Sequence, residues 1–194
     1  MISRRRVLAS GLAGTAALVS GALLGAPNPV PNRAPNRAPN RAADPGAKRI
    51  ALTNLHTGER LQVEYFRDDA YVPEAMASIE LLLRDFRNGE KHPIDTKLMD
   101  YLVDVAALLA VPPAFSVISG YRSPETNERL HEHSSGVSQR SLHMQGRAID
   151  VRVSGVDCKD LSDRAEEMKR GGVGYYRASN FVHLDTGAFR TWRG

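Results

Sequence analysis

The sequence predicts an α+β domain, on three observations. Residues 49–54 and 60–66 are strand-like and flank a turn at His56, Thr57, Gly58 and Glu59. Residues 72–87 and 95–110 carry apolar side chains at helical spacing. Short strand-like stretches then return at 115–119, 148–153 and 181–185.

Taken in order, residues 1–26 read as an export signal or anchor. Arg4, Arg5 and Arg6 precede an apolar run of about 18 residues that is rich in Gly and Ala. A paired arginine before a weakly hydrophobic segment resembles a twin-arginine (Tat) signal, with Val7 where that signal usually has Phe. Export through the Tat machinery to the periplasm is expected. Pro27 after Ala26 is a poor cleavage context, so a membrane tether stays open. Residues 27–47 form a linker in which Pro-Asn-Arg-Ala recurs three times. Such a segment buries nothing that would offset its ordering entropy, so it reads as an extended spacer.

The folded domain is expected over 48–194. The pI is about 9.4, yet of 26 basic and 22 acidic residues the first 46 positions hold six arginines and one aspartate. The remainder carries 20 and 21, so the basic pI gives no argument for nucleic acid as a partner. Cys158 is the only cysteine, which excludes an internal disulfide. It lies outside the pattern of histidines and aspartates below and reads as an inert thiol.

The 49–54 and 60–66 strands form a hairpin, and His56 belongs to its turn. Met76, Ile79, Leu82, Leu83 and Phe86 form the stripe of the first helix. Asp95 is the expected N-cap of the second, whose stripe is Leu98, Leu102, Val105 and Leu109. That helix stops before Pro112 and Pro113, because proline disfavours a helical residue ahead of it. Both stripes are explained by core packing alone. Strand 115–119 leads to a turn at Gly120, Tyr121 and Arg122, and Ser123 caps a helix with Pro124 at its first position, carrying 126–131. Arg122 thus sits at a strand-to-helix corner. A guanidinium there suits a substrate carboxylate or a developing oxyanion, and equally a structural salt bridge. Residues 134–140 are polar and read as a loop.

Strand 148–153 alternates. Ile149, Val151 and Val153 point to the core, and Ala148, Asp150 and Arg152 to a cleft. On 181–185, Phe181, His183 and Asp185 share one face. A buried aspartate is costly unless paired or bound to a cation. His143, Asp150 and His183 supply three ligands of a type that zinc accepts, with a fourth position left for water. Spacing by itself fits two structural histidines and an unrelated aspartate as well. His92, His131 and His133 read as solvated.

The stretches Gly120-Tyr121-Arg122-Ser123, Ser134-Ser135-Gly136-Val137, Ser141-x-His143-x-x-Gly146-x-Ala148-x-Asp150 and Phe181-x-His183-x-Asp185 together resemble the zinc D-Ala-D-Ala metallopeptidases, in their YcbK/MepK-like murein endopeptidase branch. The resemblance spans about residues 49–193 and implies an antiparallel sheet flanked by helices, the hedgehog/DD-peptidase fold. It makes His143, Asp150 and His183 zinc ligands, Arg122 the group that steadies the substrate carbonyl, and Ser141 a cleft residue near the substrate. It implies hydrolysis of peptide cross-links in peptidoglycan, with the D,D- or L,D-bond open, by a monomeric enzyme. The alternatives are a D,D-carboxypeptidase and a wall-binding zinc protein without catalysis.

One position departs from the family. Many of its enzymes place Glu or Asp three residues before the last zinc histidine, as general base, and here that residue is Asn180. An amide does not take a proton from water at neutral pH. Asp185, on the His183 face about 6.5–7 Å along the strand, is the substitute candidate, either as base or as a hydrogen-bond partner of His183.

Overall fold

The computed structural model describes residues 46–133 and 136–194. The leader, the linker up to residue 45, and Ser134 and Ser135 of the predicted loop lie outside the described residues. No described helix is long and apolar enough to cross a membrane.

β1 (Lys48–Asn54) and β2 (Arg60–Arg67) pair as the expected antiparallel hairpin. Asn54 closes its turn by accepting the backbone N–H groups of His56 and Thr57 on Oδ1, at 2.9 and 3.2 Å. His56 stacks on Phe86. β3 (Ala70–Tyr71) adds a short edge. α1 (Pro73–Leu82) ends before the 87 expected from its stripe. Carbonyls at its end are taken elsewhere: Leu82 accepts from Asn54 Nδ2 at 3.1 Å, and Leu83 from the Tyr121 N–H at 2.8 Å. α2 (Thr96–Leu108) begins at the expected cap, with Asp95 accepting from the Lys97 N–H. β4 (Ala114–Ser119) and α3 (Pro124–His133) follow, and Ser123 Oγ accepts from the Thr126 N–H at 3.2 Å. β5 (Ala148–Val153) lies where the alternation placed it. The sequence pattern does not signal α4 (Cys158–Met168), capped by Asp157, β6 (Gly172–Tyr176), or β8 (Arg190–Arg193), which follows the expected β7 (Phe181–Asp185). Cys158 is buried in the first turn of α4, and burial pushes its thiol pKa up.

The eight strands form one sheet in the order β3-β2-β1-β4-β5-β7-β6-β8. The α+β class holds, but the sheet is mixed rather than antiparallel, because β1 runs parallel to β4 and β6 parallel to β8. The first exception arises because α1 and α2 intervene between β1 and β4, and a long crossover of this kind is what a parallel pair needs. The second arises because the chain leaves β7 and crosses to the far edge of β6 before β8 begins.

One face of the sheet carries the core. Ile50, Leu52, Val117, Ile149, Val151 and Leu184 meet Ile79, Leu98, Leu102, Val105 and Leu161 of the helices. The Tyr101 hydroxyl donates to the Ala165 carbonyl at 2.9 Å and ties α2 to α4. With that face covered by helices, alternation turns Asp150 of β5 and His183 of β7 to the other side, and a register shift in β4 between Val117 and Ser119 brings Ser119 opposite Asp150.

Candidate metal centre

Strand register sets the first two candidate ligands side by side. Asp150 of β5 pairs with His183 of β7, so one face carries both. On β6, Gly174 lies opposite both His183 and Trp192 of β8. A side chain at Gly174 would collide with the indole, so the glycine leaves Trp192 free to reach His183, at a ring-centroid distance of 5.1 Å.

His143 arrives differently. Ser141 caps a short 3-10 helix (Leu142–Gln145), its Oγ accepting from the His143 N–H at 3.3 Å. Gly146 ends that helix at φ 63°, where a Cβ would strike the Pro93 carbonyl. The β5 strand starts two residues later. This turn brings the His143 ring under the Gly120–Ser123 corner, where its Nδ1 lies 2.7 Å from the Gly120 carbonyl.

That contact fixes a tautomer. A carbonyl only accepts, so His143 Nδ1 carries the proton and Nε2 offers its lone pair to the site. The same logic runs in reverse for His183. Its Nε2 lies 3.0 Å from Asp185 Oδ2, so Nε2–H donates there and Nδ1 faces the site. Asp150 Oδ1 is 2.8 Å from His183 Nδ1 and 3.3 Å from His143 Nε2, and the two ring nitrogens are 3.2 Å apart. Ligand atoms about 2.0–2.2 Å from a tetrahedral zinc stand roughly 3.3–3.6 Å from one another. The 3.2 and 3.3 Å separations lie close to that range and the 2.8 Å one is a direct hydrogen bond that a bound ion would open by about 0.5 Å, so the donor set fits a small, borderline-soft cation.

Charge is strongly perturbed here. Burial works to raise the Asp150 carboxyl, but the facing His143 and His183 rings outweigh it and hold it far below the ordinary range. Burial pushes His143 down. Burial also opposes the charge on His183, yet hydrogen bonds to Asp150 and Asp185 prevail and raise it to about 9.

Asp185 is sealed beneath the site, with no exposed surface. Its Oδ1 accepts from the N–H groups of Gly172 and Gly187, at 2.9 and 2.8 Å, and from Arg190 Nη1 at 3.1 Å. Its Oδ2 accepts from His183 and from Arg190 Nη2, the latter at 2.7 Å. Burial raises this carboxyl, and these donors bring it well below the usual value.

Arg122 sits at the predicted corner and lines the cleft. Its Nη2 is 3.2 Å from Ser119 Oγ and 3.5 Å from Asp150 Oδ2, and Nη1 is 3.4 Å from Asn127 Oδ1. Its Nε is buried with no hydrogen-bond partner among the described residues. The corner is clamped from behind by Asp85, fully buried, whose Oδ2 accepts from the Ser123 N–H and Oγ at 3.0 and 2.9 Å.

The site opens into a cleft of about 510 Å³ that Ser141 also lines, together with the aromatic rings of Tyr176, Phe181 and Trp192. Sequence reasoning had missed Trp192, Arg190 and Asp85. The chain's single tryptophan so close after the last motif was the available signal. His92, His131 and His133 lie outside the candidate ligand set: His133 is exposed, with Nδ1 2.7 Å from the Arg129 carbonyl, while the part-buried His92 stacks on Tyr121 and His131 Nδ1 lies 2.6 Å from the Val137 carbonyl.

Comparison with known proteins now bears on this geometry. The family profile described as peptidoglycan L,D-endopeptidase MepK matches residues 42–192. The chain belongs to that family. It is 40% identical over 148 residues to the peptidoglycan L,D-endopeptidase MepK of Escherichia coli strain K12, covering 76% of this chain and 81% of the relative. It is 38% identical over 151 residues to a probable peptidoglycan L,D-endopeptidase MepK of Haemophilus influenzae, covering 77% and 81%. No solved structure matches. The family assignment agrees with the resemblance carried by the Arg122, His143–Asp150 and His183 motifs.

Proposed function

We propose that this chain is a zinc-dependent murein endopeptidase, exported by the Tat route to the periplasm and acting there as a monomer on the peptide cross-links of peptidoglycan. One observation carries the reading. Three potential ligand atoms, His143 Nε2, Asp150 Oδ1 and His183 Nδ1, converge on the floor of an open cleft beside the Arg122 guanidinium. The relatives' names favour the L,D-bond, which in murein joins two diaminopimelates.

His143, Asp150 and His183 would hold the ion. Zinc, when bound, supplies Lewis-acid activation of water and of the scissile carbonyl. The chain's own residues do the rest. Gly120 and Asp185 keep the two imidazoles in the ligating tautomers. Arg122, held by Ser119 and Asn127, presents fixed N–H donors where negative charge develops on the carbonyl oxygen, and such donors cost no reorganisation during reaction. Ser141 holds the His143 turn at the cleft wall. Of the two roles open to Asp185, orienting His183 fits its surroundings, because a buried carboxylate with five donors has no free edge for a water's proton.

The test is digestion of purified cross-linked murein by zinc-loaded protein, followed by separation of muropeptides. Diaminopimelate-linked dimers are expected to disappear, and His143→Ala or a chelator to abolish the loss. Dimers that persist while terminal D-Ala is removed would make it a carboxypeptidase. Unchanged muropeptides with zinc bound would make it a wall-binding protein.

A further inference from the structure

The cleft is lined by three guanidinium groups, of Arg122, Arg140 and Arg190, and among its described residues by a single carboxylate, that of the ligand Asp150. Two of the three cations are committed. Arg122 is held by Ser119, Asn127 and Asp150. Arg190 is bonded through both Nη atoms to Asp185 and lies over the Trp192 ring. Arg140 differs. Its only hydrogen bond among the described residues is from its backbone N–H to Ser138 Oγ at 3.2 Å, and its guanidinium has neither a hydrogen bond nor an ion pair there. It immediately precedes Ser141, the cap of the His143 turn, so it lines the cleft from a segment tied to the ligand set.

An arginine on an open surface needs no explanation, being well solvated and worth little. Arg140 is exposed, but it stands at the wall of a concave site whose other charges are already paired. A cleft with a net excess of one sign concentrates ligands of the opposite sign. A guanidinium left free there offers a planar fork that matches a carboxylate in two parallel bonds. The substrate class fits this. A cross-link between diaminopimelates leaves free carboxylates beside the scissile peptide bond, because each such residue brings one more carboxylate than an ordinary amino acid.

We propose that Arg140 is a substrate-binding residue that holds the free carboxylate of a diaminopimelate next to the scissile bond. This rests on the endopeptidase reading above.

The experiment uses the zinc-loaded full chain and purified cross-linked muropeptide dimers, with the diaminopimelate carboxylate either free or amidated. Wild type, Arg140→Gln and Arg140→Lys are compared. On free dimers, Arg140→Gln is expected to raise KM about tenfold with kcat within about twofold, and Arg140→Lys to fall between, having charge but no fork. On amidated dimers the wild type is expected to show the same raised KM, and Arg140→Gln no further change, since residue and carboxylate form one interaction. A KM for Arg140→Gln within twofold of wild type on free dimers overturns the proposal. So does a wild-type KM that responds only when the C-terminal carboxylate of the stem peptide is blocked as its methylamide, because Arg140 would then read a different group. If wild type cleaves no dimer, the endopeptidase reading itself fails. Equilibrium binding of free and amidated dimers to wild type and Arg140→Gln then decides the Arg140 proposal alone, by the same tenfold criterion.

Discussion

Asp185→Asn separates the two roles of a buried carboxylate by changing one heavy atom. The native Oδ1 accepts from Gly172 and Gly187, and an asparagine Oδ1 in the same place keeps both bonds. The amide nitrogen then occupies the Oδ2 position, 3.0 Å from His183 Nε2 and 2.7 Å from Arg190 Nη2. An amide N–H donates, so His183 Nε2 becomes an acceptor and the ring proton moves to Nδ1, the atom that must ligate. Loss of such an orienting partner typically weakens metal affinity about 10–100-fold, or about 1.4–2.7 kcal/mol. The variant also faces Arg190 with a donor. A fully buried pair broken this way costs about 3–5 kcal/mol, but Arg190 is half exposed and swings into water, so about 2 kcal/mol is expected. For a domain of this size that lowers Tm by roughly 4–8 °C.

Zinc affinity is read by competition with a chromophoric chelator, stability by melting of the metal-free protein, and turnover at saturating zinc. The orienting role predicts weaker zinc binding, a lower Tm, and kcat recovered once zinc saturates. A general-base role predicts unchanged affinity with kcat down by about 10²–10⁴. An affinity within twofold of wild type would refute the tautomer argument whatever the turnover.

Two further outcomes follow from the same geometry. In metal-free protein, Asp150 and Asp185 outweigh burial and keep His183 protonated up to about 9, and ligation displaces the Nδ1 proton. Below pH 9, therefore, binding releases that proton, and the apparent zinc Kd tightens about tenfold per unit as pH rises from about 6 to 8. Calorimetry in two buffers of different ionisation enthalpy measures the released proton, and zero release contradicts the assignment. Asp85→Ala removes the acceptor of the Ser123 N–H and hydroxyl and of the Arg87 N–H, leaving buried donors unpaired. It is expected to cost about 2–3 kcal/mol in urea unfolding, with Asp85→Asn milder because an acceptor oxygen remains. An unchanged midpoint for the alanine variant would show that this clamp does not hold the Arg122 corner.

The candidate ligand triad was legible because two of its members lie on strands. Period-2 alternation assigns Asp150 and His183 to the polar face, and only their register, Asp150 opposite His183, needed the structure. The Arg122 corner was legible because Ser123 and Pro124 mark a helix start. Interactions between segments distant in sequence were not. Nothing near residue 85 signals that its carboxylate reaches Ser123. The parallel pairing of β1 with β4 depends on where two helices deliver the chain, and α1 stops at Leu82 because Asn54 and Tyr121 claim carbonyls at its end. Which nitrogen of each imidazole faces the site is also set at long range, by Gly120 for His143, although for His183 the partner is two residues away.

Asn180 shows how a local requirement can imitate a missing catalytic group. Its side chain was read against a carboxylate position. The structure places it in the turn between β6 and β7, exposed, at φ 53°, with its N–H donating to the Arg177 carbonyl at 3.2 Å. Left-handed backbone penalises most side chains and suits asparagine. Position 180 is also not among the residues that line the cleft. The amide is therefore explained by hairpin geometry, and replacing it with Glu would strain the turn. The acidic groups at the site are instead Asp150 and Asp185, one facing the ligand nitrogens and one saturated by donors. The carboxylate of Asp185 lies beneath the cleft, where it accepts from His183 Nε2 and leaves Nδ1 facing the site.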